Sequence, residues 1–231
     1  MLEIITSSLP SLLSAMLKFT IPLSLISFVF GMVIAFVVAL IRTLNPNLGR
    51  FGKPFWLVLK AIISFYVWAF RSTPLLVQLF IIFFGLPSVG IKLAPFIAAL
   101  IGFSLNMGAY GSETIRAALL SVSEDQWEAA YTLGFSTPQT LWHFIIPQAL
   151  RTALPPLSNE FIGLVKDTSL ASTITIAEMF QVSQQIAAQN FEPLLMYIEV
   201  AALYAVLCSI LNVLQHYLEK RSSQYLKGDS D

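Results

Sequence analysis

Charge is scarce in this sequence. Only 11% of its 231 residues are Asp, Glu, Lys or Arg, whereas a soluble domain carries about 25%. There is one cysteine, Cys208, so no internal disulfide can form, and its apolar neighbours suit a small packed side chain. The two histidines, His143 and His216, lie far apart with no cysteine beside them, which excludes the usual metal-ligand spacings. Net charge is zero and no basic block occurs, so nucleic acid is not an expected partner. A phosphate-binding loop is missing too. Gly49-Arg50-Phe51-Gly52-Lys53 imitates the tail of one, but the glycine spacing is wrong and Pro54 follows in place of Ser or Thr. With no helix-borne metal motif or nucleophile elbow either, the chain is expected to be no enzyme and to hold no cofactor of its own.

What abounds is apolar. Hydrophobic residues make up 56% of the chain, more than one soluble core can hide, so lipid must solvate much of the surface. The expected fold is an all-α integral membrane protein with about five transmembrane helices. Residues 1–18 carry Leu2, Ile5, Leu9, Leu12, Leu13 and Met16 at helical spacing, read as one face of a helix lying along the membrane. From Lys18 to Arg42 there is no charge, a run longer than the ~20 residues a crossing needs. The Arg42–Lys60 stretch, with Arg42, Arg50, Lys53 and Lys60, reads as a hydrophilic cytoplasmic loop by the positive-inside rule. That rule places the N-terminus outside. A second span, expected to start near Ile62, contains Arg71 and a kink at Pro74, and ends near Pro87. A third runs from Leu93 to about Ile115 and carries Asn106, Tyr110 and Glu113, with Arg116 at its inner end. The fourth, from Leu154 to about Phe180, holds Lys166-Asp167-Thr168-Ser169 in its middle. It reads as a helix broken near mid-membrane, where polar side chains line a cavity. Gln181–Pro193 then fits an outer loop, and Leu194–Leu214 a fifth span. Residues 220–231, with Lys220, Arg221 and Lys227, form a cytoplasmic tail.

Between the third and fourth spans lies a polar island, residues 121–151. Ser123 and Gln126 have the spacing of a capping box, and Val122 and Trp127 that of a hydrophobic staple. Gly134 suits the left-handed position past a helix end, Thr137-Pro138 starts a second helix and Pro147 should stop it. The expectation is helix, glycine turn, helix.

Glu128-Ala129-Ala130, then Gly134, then Pro147 resemble the EAA motif of permease subunits of ABC importers, with Phe144 and Ile146 where isoleucine and leucine are usual. Three further stretches are similar to the permeases of polar amino-acid importers, the histidine/glutamine/cystine class. They are Arg71-Ser72-Thr73-Pro74-Leu75-Leu76-Val77-Gln78-Leu79-Phe80, with Ser72 in place of glycine, Ala109–Arg116, and Lys166–Leu170. Within that class the wording of Leu154–Asn159 and Lys166–Ser172 is nearest to L-cystine permeases. The resemblance runs from about Phe19 to Lys220, and it implies a type I importer transmembrane domain over residues 19–219.

It also implies partners: a dimer of ATPase subunits, which bind the ATP and grip the coupling helix, an extracytoplasmic solute-binding protein, a second permease copy or paralogue, and the lipid bilayer. The setting would be the bacterial cytoplasmic membrane. The pathway residues expected on charge and depth are Arg71, Gln78, Asn106, Glu113, Arg116, Asp167, Thr168 and Ser169. Arg116 or Arg71 would meet a solute carboxylate, and Asp167 or Glu113 its ammonium. The alternative is that Glu113–Arg116 and Lys166–Asp167 are mutual structural pairs. An ion-coupled secondary transporter is the rival function. It would usually need more spans, often as an inverted repeat.

Overall fold

A computed structural model describes residues 2–44, 49 and 52–223, and every regular element among them is helical. Helix α1 (Leu2–Ala15) runs through a π-turn (Met16–Thr20) into α2 (Ile21–Thr43). The Lys18–Arg42 run is therefore the second half of one long helix. Helix α3 spans Gly52–Ser72 and α4 Leu75–Phe80, the latter extended by a π-turn and a 3-10 turn to Val89. Next come α5 (Pro95–Leu120), α6 (Glu124–Thr132), α7 (Thr137–Thr140) with a π-turn to Ile145, and α8 (Ile146–Asp167). A 3-10 turn (Thr168–Ile174), α9 (Met179–Asn190) and α10 (Pro193–Ser223) complete the fold. Three stretches among the described residues are long and apolar enough to cross a membrane: Glu3–Thr43, Gly52–Ser72 and Pro193–Lys220.

Several expectations need correction. The described part of the Arg42–Lys60 stretch is not a loop, because α3 begins at Gly52; Lys53 and Lys60 lie on one side of it, two turns apart. Arg50 lies outside the described residues, as does the tail from residue 224 on. Gln181–Pro193 is mostly helix α9 rather than loop. Its start is fixed by Glu178, whose carboxylate accepts the backbone N–H groups of Phe180 (2.8 Å) and Gln181 (2.7 Å). Glu178, a charge overlooked within the fourth apolar stretch, also accepts the Tyr204 hydroxyl at 2.9 Å and is fully buried.

The core has two parts. The larger joins α2, α4, α5 and α8 through side chains such as Leu23, Leu79, Phe103, Ile145 and Leu157. The smaller joins α1, α9 and α10 through Leu12, Met179, Met196 and Val200. Of the apolar face read on α1, Leu12 and Met16 pack against α9 and α10. Ser8 reinforces that contact by donating to the buried Glu199 carboxylate at 2.7 Å. Outward-facing apolar side chains remain exposed on α2 (Val29, Val33, Val37), α3 (Phe55, Leu57, Ile62, Phe65) and α10 (Val206, Ile210, Val213). Such continuous apolar exposure suits contact with lipid.

Candidate functional site: a polar cavity at the helix breaks and an exposed coupling turn

The polar island forms the expected helix–turn–helix. Helix α6 ends in a Schellman turn: Gly134 has φ +84°, its N–H meets the Tyr131 carbonyl (2.9 Å), and the Phe135 N–H meets the Ala130 carbonyl (3.1 Å). Glu128 and Ala129 are exposed, while Ala130 is buried. The capping box is not where the sequence placed it. The Gln126 side chain is held by Gln148 (3.3 Å) and does not return to Ser123. A box forms one helix later, where the Ser136 N–H donates to Gln139 Oε1 at 2.9 Å. Pro147 does not stop the second helix. The wider π-turn of Leu141–Ile145 lies just before it and gives room to the proline ring, so the helix continues into α8. Trp142 of that turn packs against Phe36 of α2, with the rings tilted by 48° and centroids 5.9 Å apart, and so ties the helix–turn–helix to α2.

The second site lies where two helices break. Helix α3 ends at Ser72, Pro74 begins the turn into α4, and α8 gives way to a 3-10 turn after Asp167. The expected interruption of the Leu154–Phe180 segment is thus seen as a change from α to 3-10 helix after the second residue of the Lys166–Ser169 group. Between these breaks lies a cavity of about 300 Å³, walled by Thr73, Pro74, Asn106, Tyr110, Glu160, Gly163, Leu164 and Asp167 among others. Glu160, Gly163, Leu164 and Asp167 form one stripe of α8, at the i, i+3, i+4, i+7 spacing of a helix face. Thr114 donates to Glu160, and Arg71 attracts it electrostatically. Glu160 was not among the sequence candidates. The signal that would have found it is its two-turn spacing from Asp167.

Of the eight pathway candidates, two, Asn106 and Asp167, line this cavity. Arg71 and Glu113 line a neighbouring cavity of about 390 Å³ with Arg42 and Ser64, and Tyr110 walls both. The Arg71 guanidinium sits over the Tyr110 ring, 5.5 Å from its centroid. Glu113 is shared by two arginines, Arg42 and Arg116, the latter at 2.8 Å, so the Glu113–Arg116 pair forms and gains a third member. Lys166 and Asp167 make no ion pair. Consecutive helical residues point about 100° apart, and Lys166 faces another cavity with Tyr197, Tyr204 and Cys208. Thr168 and Ser169 turn their hydroxyls back to the carbonyls of Val165 (2.7 Å) and Lys166 (2.8 Å), closing the helix end. Gln78 is buried, with its amide bonded to protein groups. A larger groove of about 600 Å³ between α2, α8 and α10 is walled almost entirely by apolar side chains and offers little to a zwitterion.

A polar cavity at two helix breaks and an exposed helix–turn–helix thus lie within one apolar helical chain. The chain belongs to the family of binding-protein-dependent transport system inner membrane components, whose model matches residues 53–224. It is therefore a permease component of an ABC importer, a multi-pass protein of the cytoplasmic membrane and not an enzyme. It is 47% identical to the L-cystine transport system permease protein TcyB of Bacillus subtilis, over 97% of this chain and 92% of that protein. It is 42% identical to the probable amino-acid ABC transporter permease protein YckA of the same organism, over 90% of this chain and 88% of the relative. Among solved structures it resembles an amino acid ABC transporter crystallised with histidines, at a TM-score of 0.84 and 30% identity, covering 94% of this chain and 96% of that one. Membership of this family leaves the ion-coupled rival without support.

Proposed function

We propose that this permease moves an amino acid, with L-cystine the first solute to try, and that the cavity between α4, α5 and α8 is its station inside the protein. One observation carries the reading. Two carboxylates, Glu160 and Asp167, share a wall of a polar cavity whose opposite side presents Asn106 and Tyr110. An ammonium group leaving water needs an anionic partner there. Arg71, across Tyr110, is placed to attract the solute carboxylate. The relatives' printed names support the solute class.

Around this station the remaining parts follow the family pattern. A binding protein delivers solute from outside, and a second copy or a paralogue completes the pathway. Two ATPase subunits, which hold the ATP, dock on the exposed Glu128–Gly134 turn. Their closure rocks the spans between inward- and outward-facing states. The N-terminus is external, and the coupling turn and C-terminus are cytoplasmic, in line with the Lys/Arg distribution.

Uptake of L-cystine by cells carrying Asp167→Asn tests the station. Asn keeps the shape and removes the charge. A charged contact is worth roughly 1.5–3 kcal/mol, so the half-saturating concentration should rise by tens-fold while assembly stays normal. Unchanged half-saturation at normal assembly would remove this cavity from the route.

A further inference from the structure

The break between α3 and α4 is bridged by one side chain. Pro74 has no N–H, so the Phe70 carbonyl loses the donor a continuous helix would give it. Gln78 supplies the substitute: its Nε2 donates to the Phe70 carbonyl at 2.8 Å, and lies 3.0 Å from both the Thr73 carbonyl and Thr73 Oγ1. Thr73 Oγ1 in turn donates to the Ala69 carbonyl at 2.8 Å. The orphan carbonyls at the end of α3 are thus capped by side chains from across the break.

The other end of the same amide reaches α5. Gln78 Oε1 accepts the Asn106 Nδ2 at 3.0 Å. A second tie holds the start of the segment, where the Tyr110 hydroxyl donates to the Arg71 carbonyl at 3.4 Å. Asn106 and Tyr110 both wall the solute cavity, as does Thr73. The broken segment is therefore fastened to α5 by the side chains a solute in that cavity would touch. Gln78 itself is only 6% exposed and does not line the cavity.

We propose that Gln78 is a positioning residue: a clamp that sets the angle of the α3–α4 break and is loosened or tightened through Asn106 as the cavity fills and empties. Every side-chain hydrogen bond it makes spans two elements or the gap between them, so losing the amide frees the hinge without deleting a contact to solute. The link to transport rests on the cavity being the solute station; the clamp itself does not. Hinge segments of this kind set the rate of a transport cycle more than the binding of its cargo.

The test separates the two. In the assembled importer, without solute, amide hydrogen exchange is followed in peptides covering residues 70–82, with the α2 peptide 31–39 as internal control. Gln78→Met, of similar length, should speed exchange in the hinge peptide roughly tenfold and leave the control unchanged, because donor and acceptor are lost but the space stays filled. Gln78→Glu, which keeps an acceptor for Asn106 and loses the donor to Phe70 and Thr73, should also exchange faster. In L-cystine uptake Gln78→Met should lower the maximal rate by about tenfold and move half-saturation by less than about twofold. Unchanged exchange in Gln78→Met would mean that the residue only fills space, and would overturn the proposal. So would a large shift in half-saturation at unchanged maximal rate, which marks a direct solute ligand. Faster exchange in a protein that takes up no L-cystine would support the clamp and count against the solute reading alone. If Gln78→Met does not assemble, Thr73→Val is read by hinge exchange alone, since it removes one acceptor and the Ala69 cap but Thr73 also walls the cavity; unchanged exchange there would likewise overturn the proposal.

Discussion

Helix α5 has two unlike sides. Toward α2 it is closed by small residues. Ser27, Gly31, Ala35 and Ala39 recur every fourth position on α2, all buried, with Gly31 against Met107 and Ala35 against Gly111 of α5. A side-chain carbon at Gly31 would lie 2.6 Å from Met107 Cβ. Toward α4 and α8 the same helix presents Asn106, Tyr110 and Thr114, and a cavity opens in place of contact. The comparison teaches a division of labour. In lipid, helices associate by close packing of small residues and not by a hydrophobic drive, so the α2–α5 seam is the rigid part. The polar side has helix ends, side-chain caps and a void, and so can change its arrangement at low cost.

The sharpest way to break this contrast is a methyl group on each side. At Gly108 it would sit 2.6 Å from Ile34 Cγ2 and 2.8 Å from the Tyr66 hydroxyl, inside the closed seam. Overpacking of this kind costs about 1–3 kcal/mol, so Gly108→Ala should lower the melting temperature of the solubilised complex by about 5 °C or more. Equal melting to wild type would mean that the seam gives way easily. The coupling turn should respond without loss of protein. At Gly134 an added Cβ meets nothing within 4 Å, but the residue's φ of +84° penalises any L side chain. Gly134→Asp should therefore abolish uptake while leaving the permease in the membrane, because it strains and charges the surface proposed to meet the ATPase. Normal import with normal stimulated ATPase activity would contradict that. The smallest effect is expected at Gly163, which walls the cavity and has nothing within 4 Å of an added Cβ. Gly163→Ala should melt like wild type and raise half-saturation only a few-fold.

The same contrast explains what the sequence disclosed. The coupling turn was legible because its parts are neighbours in the chain: Gly134 ends α6, and Pro138 opens α7 two residues after the capping Ser136. Even there, Gln126, the reciprocal partner expected for Ser123, is held by Gln148 of α8, 22 residues beyond Gln126. The break after Asp167 was visible as charge within an apolar run, but its four polar residues divide: Asp167 faces the solute cavity, Lys166 and Ser169 another, and Thr168 is buried. Which side of a helix meets which cavity depends on α3, α4, α5 and α8 together. Glu160 was missed for that reason, although its register with Asp167 was readable. Gln78 looked like a pathway residue because it is polar and deep; the Pro74 break beside it explains why a buried amide is needed there. The four-residue spacing of small residues on α2 is legible in the sequence as well.

The central claim is that Glu160 and Asp167 hold the solute inside this subunit, and it is tested most directly by binding rather than uptake. Radiolabelled L-cystine is equilibrated with the purified permease–ATPase complex without the binding protein, so that only the membrane subunit can retain it. Saturable binding is expected for wild type and for Gly134→Asp, whose cavity is intact, and loss of at least tenfold in affinity for the Glu160→Gln/Asp167→Asn double variant. Equal binding by the double variant and the wild type would contradict the account.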